Sequence, residues 1–280
     1  MTTMIGRELA QEIKSQLAAK IKKLEVKPAL VVIQVGKNTA SNRYIAMKEK
    51  AAKEIGVNFE LISFPTKTTK DELRAKLYDL NNDNTVSGVI VQLPLPKNID
   101  VDFVLESILP SKDVDGLTPM NIGRLSKGAE CLAPATAEGV INLLRYYGIQ
   151  IKGVNAVVVG RSNLVGKPTA QMLLNEGATV TICHSKTKDL SKYTKTADIV
   201  VSAVGKPNLV TAKMVKRGAV VIDVGVSFID GKVVGDVDFK NVSKVASLIT
   251  PPAGGVGPMT VAMLLSNVVK TTEIDYWKVK

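Results

Sequence analysis

The sequence predicts a two-domain α/β protein, and three observations carry that reading. The chain has 280 residues, against roughly 150 for a typical domain. Short apolar runs rich in Val and Ile alternate with helical patterns from end to end, as parallel α/β structure requires. The second half also carries a strand that runs into a Gly-containing turn and then an apolar helix, from Asn155 to about Leu174.

Taken in order, Ile5 to Leu24 has helical period, Ala29 to Val35 reads as a buried strand, Ser41 to Ile55 is helical and Val57 to Phe64 is a strand. Thr69 and Glu72 have capping-box spacing and open a helix to about Leu80. A strand from Val86 to Leu93 follows, and Pro94 and Pro96 end it. From Asp113 to Pro134 the pattern loses its period, so the domain boundary is expected there. Beyond it come a strand at Asn155 to Val159, a helix from about Val165 to Leu174, and strands at Thr179 to Cys183, Ile199 to Val204 and Ala219 to Val224. Asp230-Gly231 between apolar runs reads as a hairpin turn. Thr250 to Pro258 is a Gly/Pro loop feeding a helix from about Met259 to Lys270, which is expected to return to the first domain. The first domain is therefore residues 1–118 completed by 252–280, and the second is 119–251.

Composition excludes several classes of function. Two cysteines, Cys131 and Cys183, stand far apart without a CxxC pair, which argues against a disulfide framework and a cysteine-rich zinc site. The single histidine, His184, excludes HExxH metal hydrolysis, and no metal site is expected. No apolar run approaches the roughly 18 residues of a membrane span, and the start lacks a signal-peptide pattern, so a reduced, cytoplasmic protein is expected. Lys and Arg total 37 against 26 Asp and Glu, a net charge of +11 that attracts anions. The lysines are spread along every segment and aromatics are 4%, a pattern that disfavours a nucleic-acid-binding protein, the alternative from a different class.

The turn after the first strand of the second half reads Gly160-Arg161-Ser162-Asn163-Leu164-Val165-Gly166. Backbone N–H groups and a helix dipole in such a turn cradle a pyrophosphate. It departs from GxGxxG, with Ser162 at the second glycine position, Val165 at the third and Gly166 one residue late. The next strand ends at Cys183-His184-Ser185-Lys186 with no acid where NAD would need one for its ribose. Ser185, Lys186 and Arg161 suit a 2'-phosphate, which favours NADP. His184 is given no catalytic role.

Tyr44 and Lys48 lie four apart on a helix and share a face. Gln92 is the last polar group before a proline stop, and Asp113-Val114-Asp115-Gly116 lies in the following loop region. Ligands of α/β sheets bind outside the carboxyl ends of strands, an edge that all four elements can reach. A lysine and a carboxylate facing a nicotinamide suit proton and hydride chemistry.

Six segments then carry a resemblance: Tyr44-Ile-Ala-Met-Lys48, Val91-Gln-Leu-Pro-Leu-Pro96, Lys112-Asp-Val-Asp-Gly116, Gly160-Arg-Ser162, Gly235-Asp-Val-Asp-Phe239 and Gly254-Gly-Val-Gly-Pro-Met-Thr260. Together and in this order the chain resembles the bifunctional methylenetetrahydrofolate dehydrogenase/cyclohydrolase family. The resemblance implies an N-terminal catalytic domain and a Rossmann-like NADP-binding domain. It also implies oxidation of 5,10-methylenetetrahydrofolate to the methenyl cation and hydrolysis of that cation to 10-formyltetrahydrofolate. Lys48 matches the family's catalytic lysine, Gln92 its partner, Tyr44 the pterin-stacking tyrosine and Asp115 the carboxylate that holds the pterin. The resemblance places Gly254, Gly255, Gly257 and Pro258 against the folate, and Gly160, Arg161, Ser162, Ser185 and Val226 around NADP. A lysine partly desolvated near other cations has a lowered pKa and becomes a usable base toward water. A dehydrogenase that lacks the cyclohydrolase step, or one preferring NAD, is the alternative within enzymes. Homodimerisation through the cofactor domain is the family expectation, and the lysine excess suits a polyglutamate tail on the substrate. The chain departs from the family at Pro252-Ala253, commonly Val-Pro, and at Pro134-Ala135-Thr136-Ala137, commonly Pro-Cys-Thr-Pro.

Overall fold

In the computed structural model, residues 2–229 and 232–273 are described. Along the chain the elements are β1 (Thr2–Thr3), α1 (Gly6–Ile21), β2 (Ala29–Val35), α2 (Thr39–Ile55), β3 (Asn58–Phe64), α3 (Lys70–Asn82), β4 (Gly88–Val91), α4 (Val101–Glu106), α5 (Pro119–Ser126) and α6 (Ala135–Tyr146). They continue with β5 (Asn155–Val159), α7 (Gly166–Asn175), β6 (Thr179–Cys183), α8 (Leu190–Thr194), β7 (Ile199–Ser202), β8 (Val220–Asp223), β9 (Ser227–Ile229), β10 (Lys232–Val234), α9 (Phe239–Val242), β11 (Leu248–Ile249) and α10 (Val256–Lys270). Two compact units result: residues 12–135 with 261–280, and residues 1–11 with 136–260.

The first unit is built on a three-stranded parallel sheet in the order β3-β2-β4. Six of the seven residues of β2 are buried, as expected of a central strand covered on both faces. Val31, Ile33 and Val35 meet Leu73, Leu77 and Leu80 of α3, whose i, i+4, i+7 spacing puts them on one stripe. The capping box that opens α3 is present in both directions, with Glu72 N–H donating to the Thr69 hydroxyl and Thr69 N–H donating to the Glu72 carboxylate. Helix α2 starts on an Asn38 side chain that accepts from Ser41 N–H and ends at Gly56 with φ +89°.

The second unit carries a six-stranded parallel sheet in the order β1-β11-β8-β7-β5-β6, with β9 and β10 as a separate antiparallel pair. The chain leaves β5 toward β6 on one side and then returns to β7 on the other, so the topological switch point lies between β5 and β7. Val157, Val159, Val200, Val221 and Ile249 from the strands pack with Val242 of α9 in one core.

The two-domain α/β reading holds; β2, β5 and β6 keep the bounds their patterns predict, while β4, β7 and β8 are shorter than the apolar runs Val86–Leu93, Ile199–Val204 and Ala219–Val224. The compact units divide the chain at other residues than the expected domains. Residues 1–11 join the second unit because β1 pairs with β11, Met4 N–H donates to Ile249, and Gly6 and Arg7 donate to the Gly254 carbonyl. The break expected at 118/119 falls after Ala135, since the stretch without clear period contains α5 and is tied to the first unit by Asn121, whose amide donates to the Asp113 carboxylate. Helix α10 starts at Val256, earlier than its apolar pattern suggested, and from Val261 onward it belongs to the first unit. Asp230 and Gly231, read as a hairpin turn, lie outside the described residues; the strands that flank them pair antiparallel. Among the described residues no helix is long and apolar enough to cross a membrane.

Candidate active site

On α2, the buried residues Ser41, Ile45, Ala52 and Ile55 form a stripe that faces the rest of the unit, and Lys48 falls on that stripe at helical spacing. Its stem is thus half-buried, and its ammonium donates to the side-chain carbonyl of Gln92 at 3.1 Å. Gln92 follows β4 directly, and its N–H extends the ladder by donating to Ile33 of β2 at 2.8 Å. The other end of its amide donates to the Leu93 carbonyl at 2.9 Å, which leaves the oxygen for Lys48. The Ser41 hydroxyl donates to the same Leu93 carbonyl, so α2 and the end of β4 are joined at Ser41 as well as at the lysine. Gln34 on β2 donates to Asn42 at 2.6 Å and fixes α2 against the sheet. Tyr44, one turn before Lys48, is 39% exposed, and the buried part of its ring pushes its hydroxyl up from the usual value.

Asp115 sits in a loop held from three directions. The Asp113 carboxylate is buried and accepts from Thr118 N–H at 2.7 Å and from the Asn121 amide at 2.9 Å. The amide of Asn267, fully buried on α10, donates to the Val114 carbonyl at 2.9 Å and to the Ala133 carbonyl at 2.8 Å. Gly116 has φ +70°, and any side chain there would collide with the backbone of Leu132 and Ala133. Burial pushes the Asp115 carboxyl above the usual carboxylate range; the Lys48 charge pulls it back and Asp113 adds to the rise. The Lys48 charge is therefore close enough to be felt at Asp115, and Tyr44, Lys48, Gln92 and Asp115 belong to one unit. Sequence reasoning gave no role to Asp113, Asn121 or Asn267. An Asn in the apolar run of α10 was the available signal, since a buried amide needs partners.

In the other unit, Gly160 closes β5 with φ +130°, and its N–H donates to Cys183 at 2.8 Å. A Cβ at Gly160 would collide with the Ala203 carbonyl after β7, and one at Gly166 would collide with the Gly160 carbonyl. Gly166 thus makes the close helix–strand approach that the third glycine of GxGxxG provides, one residue late. The Ser162 hydroxyl accepts from the N–H groups of Val165 and Gly166, so it closes the turn that opens α7. Arg161 is exposed, as is Ser185 in the turn that Thr187 closes on His184. Val226 is 37% exposed just after β8. Gly254, Gly255 and Pro258 with Gly257 lie in the same unit as this turn, at the entry to α10. Gly254 has φ +84° and its carbonyl accepts from Gly6 and Arg7, while Gly257 faces open space. The turn fits a dinucleotide, since Gly160 against Ala203 and Gly166 against Gly160 give the close backbone packing of strand, turn and helix that such a site needs.

A parallel sheet with a glycine-lined turn at its switch point, together with a lysine–amide pair and a carboxylate on a second α/β unit, is the arrangement of a two-domain nucleotide-dependent oxidoreductase. Family models narrow the class. Residues 4–115 match the tetrahydrofolate dehydrogenase/cyclohydrolase catalytic domain, and residues 134–276 match the NAD(P)-binding domain of the same family. The chain belongs to the tetrahydrofolate dehydrogenase/cyclohydrolase family. It is 49% identical over 277 residues to the bifunctional protein FolD of a Nitratiruptor species, covering 98% of both chains. Its structure is similar to that of the bifunctional enzyme FolD from Campylobacter jejuni, with a TM-score of 0.96, 48% identity and coverage of 98% of this chain and 99% of the other. The Trypanosoma brucei dehydrogenase–cyclohydrolase, complexed with NADP and an inhibitor, has a TM-score of 0.93 at 39% identity, with 97% of each chain covered.

One consequence of the Asp115 environment is measurable without substrate. A buried carboxyl with a raised pKa binds its proton more tightly folded than unfolded, so its contribution to stability is full at low pH and is lost as pH rises through its folded value. Asp115→Asn removes that loss. Calorimetry from about pH 4 upward is expected to show the melting temperature of the variant, relative to the wild type, climbing as pH rises above the ordinary carboxylate value and then levelling off. A difference that stays flat or falls would mean burial does not dominate at Asp115.

Proposed function

We propose that this chain oxidises 5,10-methylenetetrahydrofolate to the 5,10-methenyl cation with NADP and hydrolyses the cation to 10-formyltetrahydrofolate, with Lys48, Gln92, Tyr44 and Asp115 as the working side chains. Membership of the family in both its domains makes the chain a tetrahydrofolate dehydrogenase and cyclohydrolase with a nicotinamide cofactor. The observation that carries the residue roles is the Lys48–Gln92 hydrogen bond, in which an ammonium on a buried stripe meets an amide whose other end is already committed.

The bound nicotinamide supplies the acceptor for the two electrons that leave the methylene carbon. The protein's part is to hold that carbon aligned, which requires a rigid seat for the pterin. Tyr44 offers a ring face for stacking, and Asp115 accepts from the amino and ring N–H groups of the pterin. In the second reaction Lys48 acts as the neutral amine, its ammonium having first given a proton to solvent: a water adds to the methenyl carbon, the new C–O bond forms as the C=N π electrons move onto nitrogen, and the amine takes the proton the water gives up. Gln92 keeps the Lys48 amine pointed at that water. The Lys48 ammonium then returns that proton to N5 as the bond from N5 to the carbinol carbon breaks, and the carbinol O–H gives its proton to solvent, leaving the formyl group on N10. Ser185, Lys186 and Arg161, with no acid beside them, favour the 2'-phosphate of NADP over the free ribose of NAD. Homodimerisation through the cofactor unit and a role for the lysine excess in holding a polyglutamate tail complete the reading; light scattering tests the first, and tail-length dependence of affinity tests the second.

A time-resolved absorbance assay that follows NADPH and the methenyl cation separately tests the proposal. The wild type is expected to form NADPH while the cation stays below its level under spontaneous hydrolysis, and to prefer NADP to NAD in kcat/KM. Lys48→Met is expected to lower the hydrolysis rate by about 10²-fold or more. A wild type in which the cation accumulates removes the hydrolytic half of the proposal, a preference for NAD removes the 2'-phosphate argument, and an unaffected Lys48→Met removes Lys48 from its role.

A further inference from the structure

One of the six sequence segments, Gly235-Asp-Val-Asp-Phe239, takes no part in the reaction above, yet its first aspartate is fully buried. The Asp236 carboxylate accepts four hydrogen bonds. One oxygen takes the N–H groups of Val204 at 2.7 Å and Gly205 at 3.2 Å and the hydroxyl of Ser202 at 3.2 Å; the other takes Lys206 N–H at 2.7 Å. Three successive amides of the segment after β7 thus converge on one side chain.

Asp223, the last residue of β8, repeats the arrangement. It is 4% exposed and accepts from Gly225 and Asp236 N–H on one oxygen and from Val237 N–H on the other, at 3.0–3.1 Å. Thr250 anchors its backbone by accepting Asp223 N–H at 2.7 Å. The two aspartates interlock through glycines. A side chain at Gly225 would collide with the Asp236 carboxylate, and one at Gly235 would collide with the Asp223 carboxylate. Burial pushes Asp223 up to about 6, with the Asp236 charge adding to the rise while the amide donors oppose it.

What this pair controls is the carboxyl edge of the sheet. Ala203, against whose carbonyl Gly160 packs, directly precedes the segment that Asp236 holds, and β7 borders the switch point. Val204 and Val226, within the two held segments, have 45% and 37% of their surface exposed, apolar groups on an edge where an α/β sheet receives its nucleotide.

We infer that Asp236 and Asp223 are positioning residues for the nicotinamide cofactor: a pair of buried carboxylates that holds the segments Val204–Lys206 and Gly225–Val226 in the shape that receives it. The inference rests on the cofactor reading above. Without the carboxylate, three amides lose their common acceptor and the segment after β7 has to be ordered by the ligand itself, at a cost in affinity. Once the cofactor saturates the site, the segment is held and turnover recovers.

The test measures NADP binding by calorimetry, amide hydrogen exchange and kinetics on wild type and Asp236→Asn. Asn keeps the shape but presents N–H where Lys206 N–H needs an acceptor. The expected result is an NADP dissociation constant and KM raised about tenfold or more, kcat within about threefold, and faster exchange at Val204–Lys206 that NADP restores. Hydrolysis of the methenyl substrate, which needs no nicotinamide, reports that the variant is folded. Should Asp236→Asn fail to fold, Ser202→Ala removes one of the four donors from the same carboxylate and is expected to raise the dissociation constant about threefold. A variant that folds and binds NADP as the wild type does overturns the inference while leaving the cofactor reading intact. A wild type that binds no NADP overturns both.

Discussion

A lysine on the buried stripe of an amphipathic helix is the constraint around which the catalytic unit is arranged. A free ammonium at the Lys48 position would lose hydration with nothing in return, so the helix needs an acceptor opposite it. Gln92 meets that need because β4 ends just before it and the ladder to Ile33 extends through its own N–H. The Ser41 hydroxyl and the Gln92 amide converge on the Leu93 carbonyl, which fixes which end of the amide faces the lysine. The same charge then reaches Asp115, where it offsets part of the effect of burial. Gln92 and Asp115 are thus coupled through one ammonium.

The cofactor unit solves its problem with backbone rather than with charge. Gly160 and Gly166 bring β5, α7 and the segment after β7 into contact distances that no side chain allows, and Ser162 closes the turn with its hydroxyl. Asp223 and Asp236 extend the principle one strand further, each accepting main-chain donors that the ends of β7 and β8 leave without partners. Both units therefore use buried polar groups to hold loops at the carboxyl ends of parallel strands, where catalysis and binding need fixed geometry.

How much of this was legible follows from the range of each interaction. β2 and β5 were readable because a buried parallel strand is a continuous apolar run, β6 because the edge strand Thr-Val-Thr-Ile-Cys is rich in β-branched residues, and α3 because its capping box lies within four residues. Lys48 was legible as a candidate from its spacing to Tyr44, and the 41/45/48/52/55 period would have shown that it lies on the buried stripe. Helices α4 and α5, at six and eight residues, are too short for a period to declare itself. The two-residue strands β1 and β11 owe their existence to each other and to β8, because only the folded chain brings Thr2–Thr3, Leu248–Ile249 and Val220–Val221 into register. The clamp from Asn267 to Val114 spans 153 residues, and nothing local announces it.

The central claim is that Lys48 and Gln92 act as one device in hydrolysis of the methenyl cation. A double-mutant cycle on that rate, with Lys48→Met, Gln92→Leu and the pair, addresses it directly. If the two form a unit, the double variant is expected to be about as slow as Lys48→Met alone, because Gln92 has nothing to orient once the amine is gone. Losses that multiply across the cycle would show two independent contributions and contradict the account.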